Sequence, residues 1–349
     1  MERQVSPRTG WCAANCAGTG TELRVGSPPM DLAVTFLGTG GSVPSARRST
    51  ASVLVARGGE RLLFDCGEGT QRQMQRSLGL VQADEIYLTH FHADHVLGIP
   101  GLLKTYDLTD RQVPLKIFGP PGLTELFQVF SPLVGRLGFG LELAELGPGD
   151  AVEHDGYEIR PFEASHRNTR ANGYALVEAE RPGRFDPAAA AAAGVPEGPA
   201  YAALQRGEEV QGSNGTVTPD QVMGPSRLGR TLVITGDTAP SPATVSAAAD
   251  ADLLIHDASF AEEEVQRAAE TGHSTVRQAA AVADEAHVKL LALVHISSRY
   301  HVGKVIEEAK ELFEPTVAPK DFDVIELPFP ERGDPQLIPN GARAPNGEG

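Results

Sequence analysis

The sequence predicts an α/β fold, two packed sheets with helices outside them. Three observations carry this expectation. With 349 residues and 41% hydrophobic content, the chain can bury one large core, since single domains extend to about 250 to 300 residues. Its apolar runs are short, and runs of β type alternate with runs of helical period. The strand-like runs first meander and then interleave with helices, the order of an α/β sandwich.

Taken in order, Leu32 to Leu37, Ser52 to Ala56, Arg61 to Phe64 and Glu85 to Leu88 read as strands. Arg57-Gly58-Gly59-Glu60 supplies a hairpin turn between the second and third. A helix is expected at about 70 to 77 and another after Gly98. Later strands fall at Glu158 to Glu163, Tyr174 to Val177, Thr231 to Ile234, Leu253 to His256 and Leu290 to Val294. Helices are expected near 241–249, 260–270, 274–285 and 303–312.

Three segments depart from this rhythm. Residues 1–29 lack a periodic apolar pattern and read as a disordered leader, with Met30 as an alternative start just before DLAVTFLG. Residues 331–349 are rich in Pro and Gly and read as a disordered tail. Between them lies a domain over 30–330, interrupted at 181–230 by an alanine run and Gly/Pro elements with few large apolar residues. That stretch reads as a protruding arm rather than a plain disordered linker, because isolated apolar anchors among its rigid turns favour local order.

No stretch approaches the roughly 18 consecutive apolar residues of a membrane span, so a cytoplasmic protein without a membrane partner is expected. Cys12, Cys16 and Cys66 imply neither a disulfide framework nor a zinc knuckle. The formal charge of −16 argues at first sight against nucleic acid. However, the cations are mostly arginine, with lysine only at 104, 116, 289, 304, 310 and 320. An acidic, lysine-poor surface suits high internal salt, so the charge speaks to environment more than to substrate.

The chemistry concentrates in THFHADH, residues 89 to 95. Imidazole and carboxylate are good ligands for zinc and similar ions, and a loop at a strand's carboxyl end lets neighbouring side chains converge. His90 and His92 can reach one metal, while Asp94 and His95 point toward a second. Four ligands cannot complete two sites. The remaining candidates, His166, Asp237 and His295, each follow an apolar run that ends at the rim where Leu88 ends. Read singly, Asp237 could simply initiate a helix. Read with the others, it is placed to bridge two ions.

TFLGTGGSVPS (35–45), LLFDCGEGTQRQM (62–74), LTHFHADHVLGIPGL (88–102), GVPEGPAYAAL (194–204), TGDT (235–238), GHSTVRQAA (272–280) and HISSRY (295–300) together resemble the metallo-β-lactamase superfamily. Within it they resemble the tRNA 3′-processing endonucleases, the ribonuclease Z family, from about Leu32 to Pro330. The resemblance implies a four-layer αββα metallo-β-lactamase sandwich and two Zn2+ ions. One would be held by His90, His92 and His166, the other by Asp94, His95 and His295, with Asp237 bridging. It also implies that Asp65 orients rather than ligates, that 181–230 is a flexible arm gripping precursor tRNA, and that the protein is a homodimer. In one departure, the HEAT frequent among relatives is HDAS here, His256 to Ser259, which puts in question a relay through Asp257 to His273.

Two metal ions lower the pKa of shared water toward 7, which supplies a nucleophile. Asp94 is the candidate base and a protonated His273 the candidate acid for the departing 3′-oxygen. The expected reaction removes the 3′ trailer, leaving a 3′-hydroxyl on the tRNA and a 5′-phosphate on the trailer. Arg47, Arg48, Arg72, Arg76, Arg167, Arg170, Arg277 and Arg299 flank the motifs, and Arg181, Arg184 and Arg206 lie on the arm, as candidate phosphate contacts. His154, His287 and His301 read as solvated surface positions. Two other readings stay open: a small-molecule phosphodiesterase of the same fold, and a non-catalytic RNA-binding subunit.

Overall fold

The computed structural model describes residues 32–341. The leader reading, with Cys12 and Cys16, and residues 342–349 of the tail lie outside the described residues. The first half runs β1 (Leu32–Gly38), β2 (Ser52–Arg57), β3 (Glu60–Phe64), α1 (Thr70–Ser77), β4 (Glu85–Tyr87), α2 (Ala93–Val96), α3 (Ile99–Leu108), β5 (Leu115–Gly119), α4 (Leu123–Val134) and β6 (Leu141–Glu145). Next come β7 (Val152–His154), β8 (Tyr157–Glu163) and β9 (Asn172–Glu178), then α5 (Pro187–Ala192), α6 (Pro199–Gln205), β10 (Val210–Gly212) and β11 (Gly215–Val217). The chain finishes with β12 (Thr231–Ile234), α7 (Pro242–Ala247), β13 (Leu253–Asp257), α8 (Val265–Thr271), α9 (Val276–Glu285), β14 (Leu290–Val294), α10 (Val302–Lys310), β15 (Thr316–Val317), β16 (Val324–Leu327) and β17 (Gln336–Ile338).

Two large sheets result, ordered β17-β16-β1-β2-β3-β4-β5-β6 and β15-β14-β13-β12-β9-β8-β7. Alternation along the strands creates the layers, because successive side chains face opposite ways. Val34 and Phe36 of β1, Val55 of β2, Ile159 of β8 and Ile255 of β13 share one apolar core between the sheets. The opposite face of the first sheet (Leu37, Leu54, Leu63, Ile86) packs on Met74 of α1, Leu102 and Leu103 of α3 and Phe127 of α4. The opposite face of the second sheet (Val233, Leu254, Leu291) packs on Val276, Ala279 and Ala283 of α9 and Val305 of α10. Helix, sheet, sheet and helix thus form four layers, as the sequence predicts.

A buried ion cluster ties the sheets together. Arg57 of β2 donates to Glu178 of β9 at 2.9 Å, and Arg230 donates to the same carboxylate at 2.7 Å. The three side chains are at most 3% exposed.

Two expectations are corrected. The stretch from 331 to 341 is no tail, because Gln336–Ile338 forms β17, an antiparallel edge strand on β16. His154 is not solvated: its ring stacks on Tyr157 with centroids 4.3 Å apart, and its Nε2 lies 3.3 Å from Glu85. His287 and His301 are exposed, as expected.

Residues 181–230 leave and rejoin the domain through a neck in which Arg181 and Arg227 exchange backbone hydrogen bonds. Beyond the neck the segment has its own small core of Ala190, Val195, Leu204, Val217 and Val222. Pro187 at the first helical position with Asp186 as cap starts α5, and the β10–β11 hairpin completes the unit.

Candidate active site

The carboxyl ends of β3, β4, β8, β12, β13 and β14 reach a common rim, because β3 runs parallel to β4 and β12, β13 and β14 run parallel to one another. Backbone bonds fasten the loops there. The Cys66 amide donates to the His95 carbonyl at 2.8 Å, and the Gly98 amide to the Cys66 carbonyl at 2.8 Å. A side chain at Gly67 would put its Cβ 2.3 Å from the Asp94 carbonyl, so only glycine permits this approach. Asp65 and His295 hold the left-handed backbone conformation, with φ of 57° and 60°. Such strain persists only where the surroundings enforce it.

The seven expected ligand residues converge in two groups. In His90, His92, His166 and Asp237, one candidate ligand atom from each lies within 4.8 Å of the others. The same holds for Asp94, His95, Asp237 and His295. Asp237 belongs to both. Its Oδ2 lies 3.8 Å from His90 Nε2, and its Oδ1 lies 3.3 Å from His95 Nε2 and 3.4 Å from His295 Nε2. His166 Nε2 is 3.2 Å from His92 Nδ1, and His295 Nε2 is 3.2 Å from Asp94 Oδ2.

The remote imidazole nitrogens explain why the near ones point inward. His90 Nδ1 meets Thr89 Oγ1 at 3.0 Å, His95 Nδ1 meets Asp65 at 2.7 Å, His166 Nδ1 donates to the Gly272 carbonyl at 2.8 Å, and His295 Nδ1 meets Ser259 Oγ at 2.7 Å. Such bonds fix ring orientation around a metal. Asp65 also accepts from the Thr89 amide and hydroxyl, so it orients the loop and stands outside both groups.

Two buried nitrogens, His90 Nε2 and His95 Nε2, have no hydrogen-bond partner among the described residues. Burying an unpaired polar atom is costly, and a cation seated between the groups removes that cost. Burial and the neighbouring His95 push the His90 pKa well below its ordinary value, which keeps the ring in its neutral, ligating form. Burial opposes the charge on Asp237, but His295 and His95 outweigh it and hold the carboxyl ionised. Imidazole and carboxylate donors in these groups fit two zinc-like ions.

Beside the second group, Asp257, at the end of β13, lies 2.7 Å from His273 Nδ1. The shorter aspartate of HDAS therefore spans the gap that the sequence left in question. Asp257 is committed elsewhere too, accepting from the Thr238 amide and from the Ser259 amide and hydroxyl. Burial disfavours a charged His273, but Asp257 outweighs it and raises the imidazole pKa to about 9. Its Nε2 makes no protein hydrogen bond among the described residues. The segment holding His273 is set by a capping box at the start of α9, Thr275 with Gln278, and by Ser274 Oγ donating to the Thr238 carbonyl at 2.7 Å.

The candidate phosphate contacts divide. Arg181 and Arg206 are engaged with Glu331 and Glu208, Arg277 with Glu311 and Arg299 with Glu264. Arg48 turns inward to Thr39 and the Pro319 carbonyl, and Arg76 lies over Phe322. Arg47, Arg72, Arg167, Arg170 and Arg184 are exposed and make no ion pair among the described residues. Thr89, Ser259 and Gly272 are positioning residues that motif spacing alone does not reveal.

The fold and its rim of histidines and carboxylates define a metallo-β-lactamase fold protein. The chain superposes on the metallo-β-lactamase fold protein YhfI from Bacillus subtilis with a TM-score of 0.63, at 20% identity over 85% of this chain and 99% of that one. It superposes on human tRNase Z, short form, with a TM-score of 0.62, at 28% identity over 85% of this chain and all of that one. The model of the anti-Pycsar protein Apyc1 family matches residues 32–129. Ribonuclease Z of Halorubrum lacusprofundi is 48% identical over 308 residues, 86% of this chain and 99% of that protein. Ribonuclease Z of Methanosarcina acetivorans is 47% identical over 302 residues, 85% of this chain and 99% of that protein. The chain belongs to the ribonuclease Z family.

Proposed function

We propose that this protein is a zinc-dependent endoribonuclease that removes the 3′ trailer from precursor tRNA, leaving a 3′-hydroxyl on the tRNA and a 5′-phosphate on the trailer. The observation that carries the reading is Asp237, whose two oxygens face two separate sets of ligand atoms. His90, His92 and His166 would hold one zinc ion, Asp94, His95 and His295 the other, and Asp237 would join them. When bound, the pair supplies positive charge to the scissile phosphate and lowers the pKa of water toward neutrality.

The chain's own groups do the rest. Burial opposes ionisation of Asp94, yet its bond to His295 holds the carboxyl below the usual range, so it stays an acceptor for the proton that the attacking water gives up. His273, held by Asp257, presents Nε2 as donor to the departing 3′-oxygen of the tRNA. Thr89, Asp65, Gly272 and Ser259 keep the rings in register. Exposed Arg47, Arg72, Arg167 and Arg170 around the rim contact phosphates, and the arm at 181–230 grips the body of the precursor. A homodimer in solution completes the proposal.

The test is incubation of a trailer-bearing precursor with the protein, with and without chelator, beside a chromogenic phosphodiester. Single cleavage after the tRNA body that stops with chelator supports the reading. Hydrolysis of the small diester with an intact precursor would make the protein a small-molecule phosphodiesterase instead.

A further inference from the structure

The arm's neck is tied to a residue that lies outside the arm and far from it in sequence. Arg181 donates from both terminal nitrogens to Glu331, at 3.0 Å to Oε1 and 2.9 Å to Oε2. Arg227, on the opposite side of the neck, donates to the same Oε1 at 3.0 Å. Glu331 stands in the turn just after β16. Phe329 is buried there, with the Arg181 guanidinium carbon 3.5 Å and the Arg230 guanidinium carbon 4.0 Å from its ring centre. Arg230 in turn holds Glu178 of the inter-sheet cluster. One carboxylate therefore joins both strands of the neck to the rigid part of the domain. The paired side chains are 20–34% exposed, so the contact is accessible to water rather than part of a core.

We propose that Glu331 is a positioning residue that fixes the bearing of the arm toward the precursor. The inference rests on the reading that the arm grips RNA, and it adds the device that aims it. The physical reason is leverage. Beyond the neck the apolar cluster consists of arm residues alone, so a small rotation at the neck swings the whole unit. Two backbone strands joined by isolated bridges, Arg181 with Arg227 and Phe185 with Met223, rather than by a continuous sheet, resist such a rotation weakly. A planar, two-point guanidinium–carboxylate contact resists it well, because both partners have fixed geometry. Arg181 thus serves the lock and leaves the phosphates to other arginines.

The experiment compares wild-type protein, Glu331→Gln, Arg227→Gln, a deletion of 187–209, and the deletion combined with Glu331→Gln. Each is assayed for KM and kcat on a trailer-bearing precursor, for hydrolysis of bis(p-nitrophenyl) phosphate, and for Tm. Glu331→Gln should raise the precursor KM roughly fivefold, the upper range for a partly exposed ion pair. Precursor kcat and small-diester hydrolysis should stay unchanged, and the deletion should remove any further effect of the substitution. Arg227→Gln should shift KM in the same direction, which keeps the test informative if Glu331→Gln fails to fold. A KM increase on deletion without one in either substitution overturns the lock but keeps the arm's role. An unchanged KM on deletion overturns the arm's role itself. Parallel loss of small-diester hydrolysis and Tm in Glu331→Gln overturns the lock by making Glu331 a general stability residue.

Discussion

Asp257 Oδ2 lies 2.7 Å from His273 Nδ1, and the same carboxylate accepts from Ser259, whose hydroxyl touches His295. One buried aspartate therefore orients the proposed proton donor and, through a serine, a proposed metal ligand. His273→Ala should slow precursor cleavage by about 10²- to 10⁴-fold with metal content intact. Asp257→Asn should slow it by no more. With metal occupancy held equal the double variant should match His273→Ala alone, because the path from Asp257 to the proton donor runs through His273 while its path through Ser259 bears on metal content. Kinetics and elemental analysis of the three variants decide this. Additive losses would separate the two residues.

Asp65 makes no direct claim on an ion, yet it fixes His95 Nδ1 and the Thr89 amide. Replacing it with Asn should weaken metal affinity by about 10- to 100-fold, the range for groups that orient ligands. Competition with a chromogenic chelator measures it. An unchanged affinity would remove Asp65 from the site.

The buried cluster of Arg57, Glu178 and Arg230 predicts a stability effect at a distance from the chemistry. Glu178→Ala removes the carboxylate that both buried guanidinium groups share and should cost about 3 to 5 kcal/mol. Denaturant unfolding tests it, and a loss under about 1 kcal/mol would show the site relaxing to admit water.

With a formal net charge of −16 and few lysines, the chain should repel itself in dilute buffer. Molar KCl screens that repulsion, so Tm and activity are expected to rise with salt. Full activity at low salt that declines in molar KCl would refute the high-salt reading.

The site was legible in the sequence to an unequal degree. THFHADH announces itself because ligand-type residues crowd one loop, and His166, Asp237 and His295 are found by their shared position after apolar runs. Thr89, Ser259 and the Gly272 carbonyl were not legible, since a hydroxyl or a backbone oxygen becomes a ring-orienting partner only when distant loops meet. Among fold elements, the alternating runs of β1 to β4 and β12 to β14 read clearly. The edge strand β17 did not: its three residues sit among Pro and Gly, and its order comes from pairing with β16 rather than from local pattern. Arg181 showed the same limit, since nothing local reveals a partner 150 positions away.

The most direct test is anomalous X-ray diffraction at the zinc edge from crystals of the protein, paired with precursor cleavage by the same preparation. Two peaks per chain are predicted, one among His90, His92 and His166 and one among Asp94, His95 and His295, each beside a different oxygen of Asp237. A cleaving enzyme with density for no ion, or for one ion not in contact with Asp237, would contradict the two-ion site.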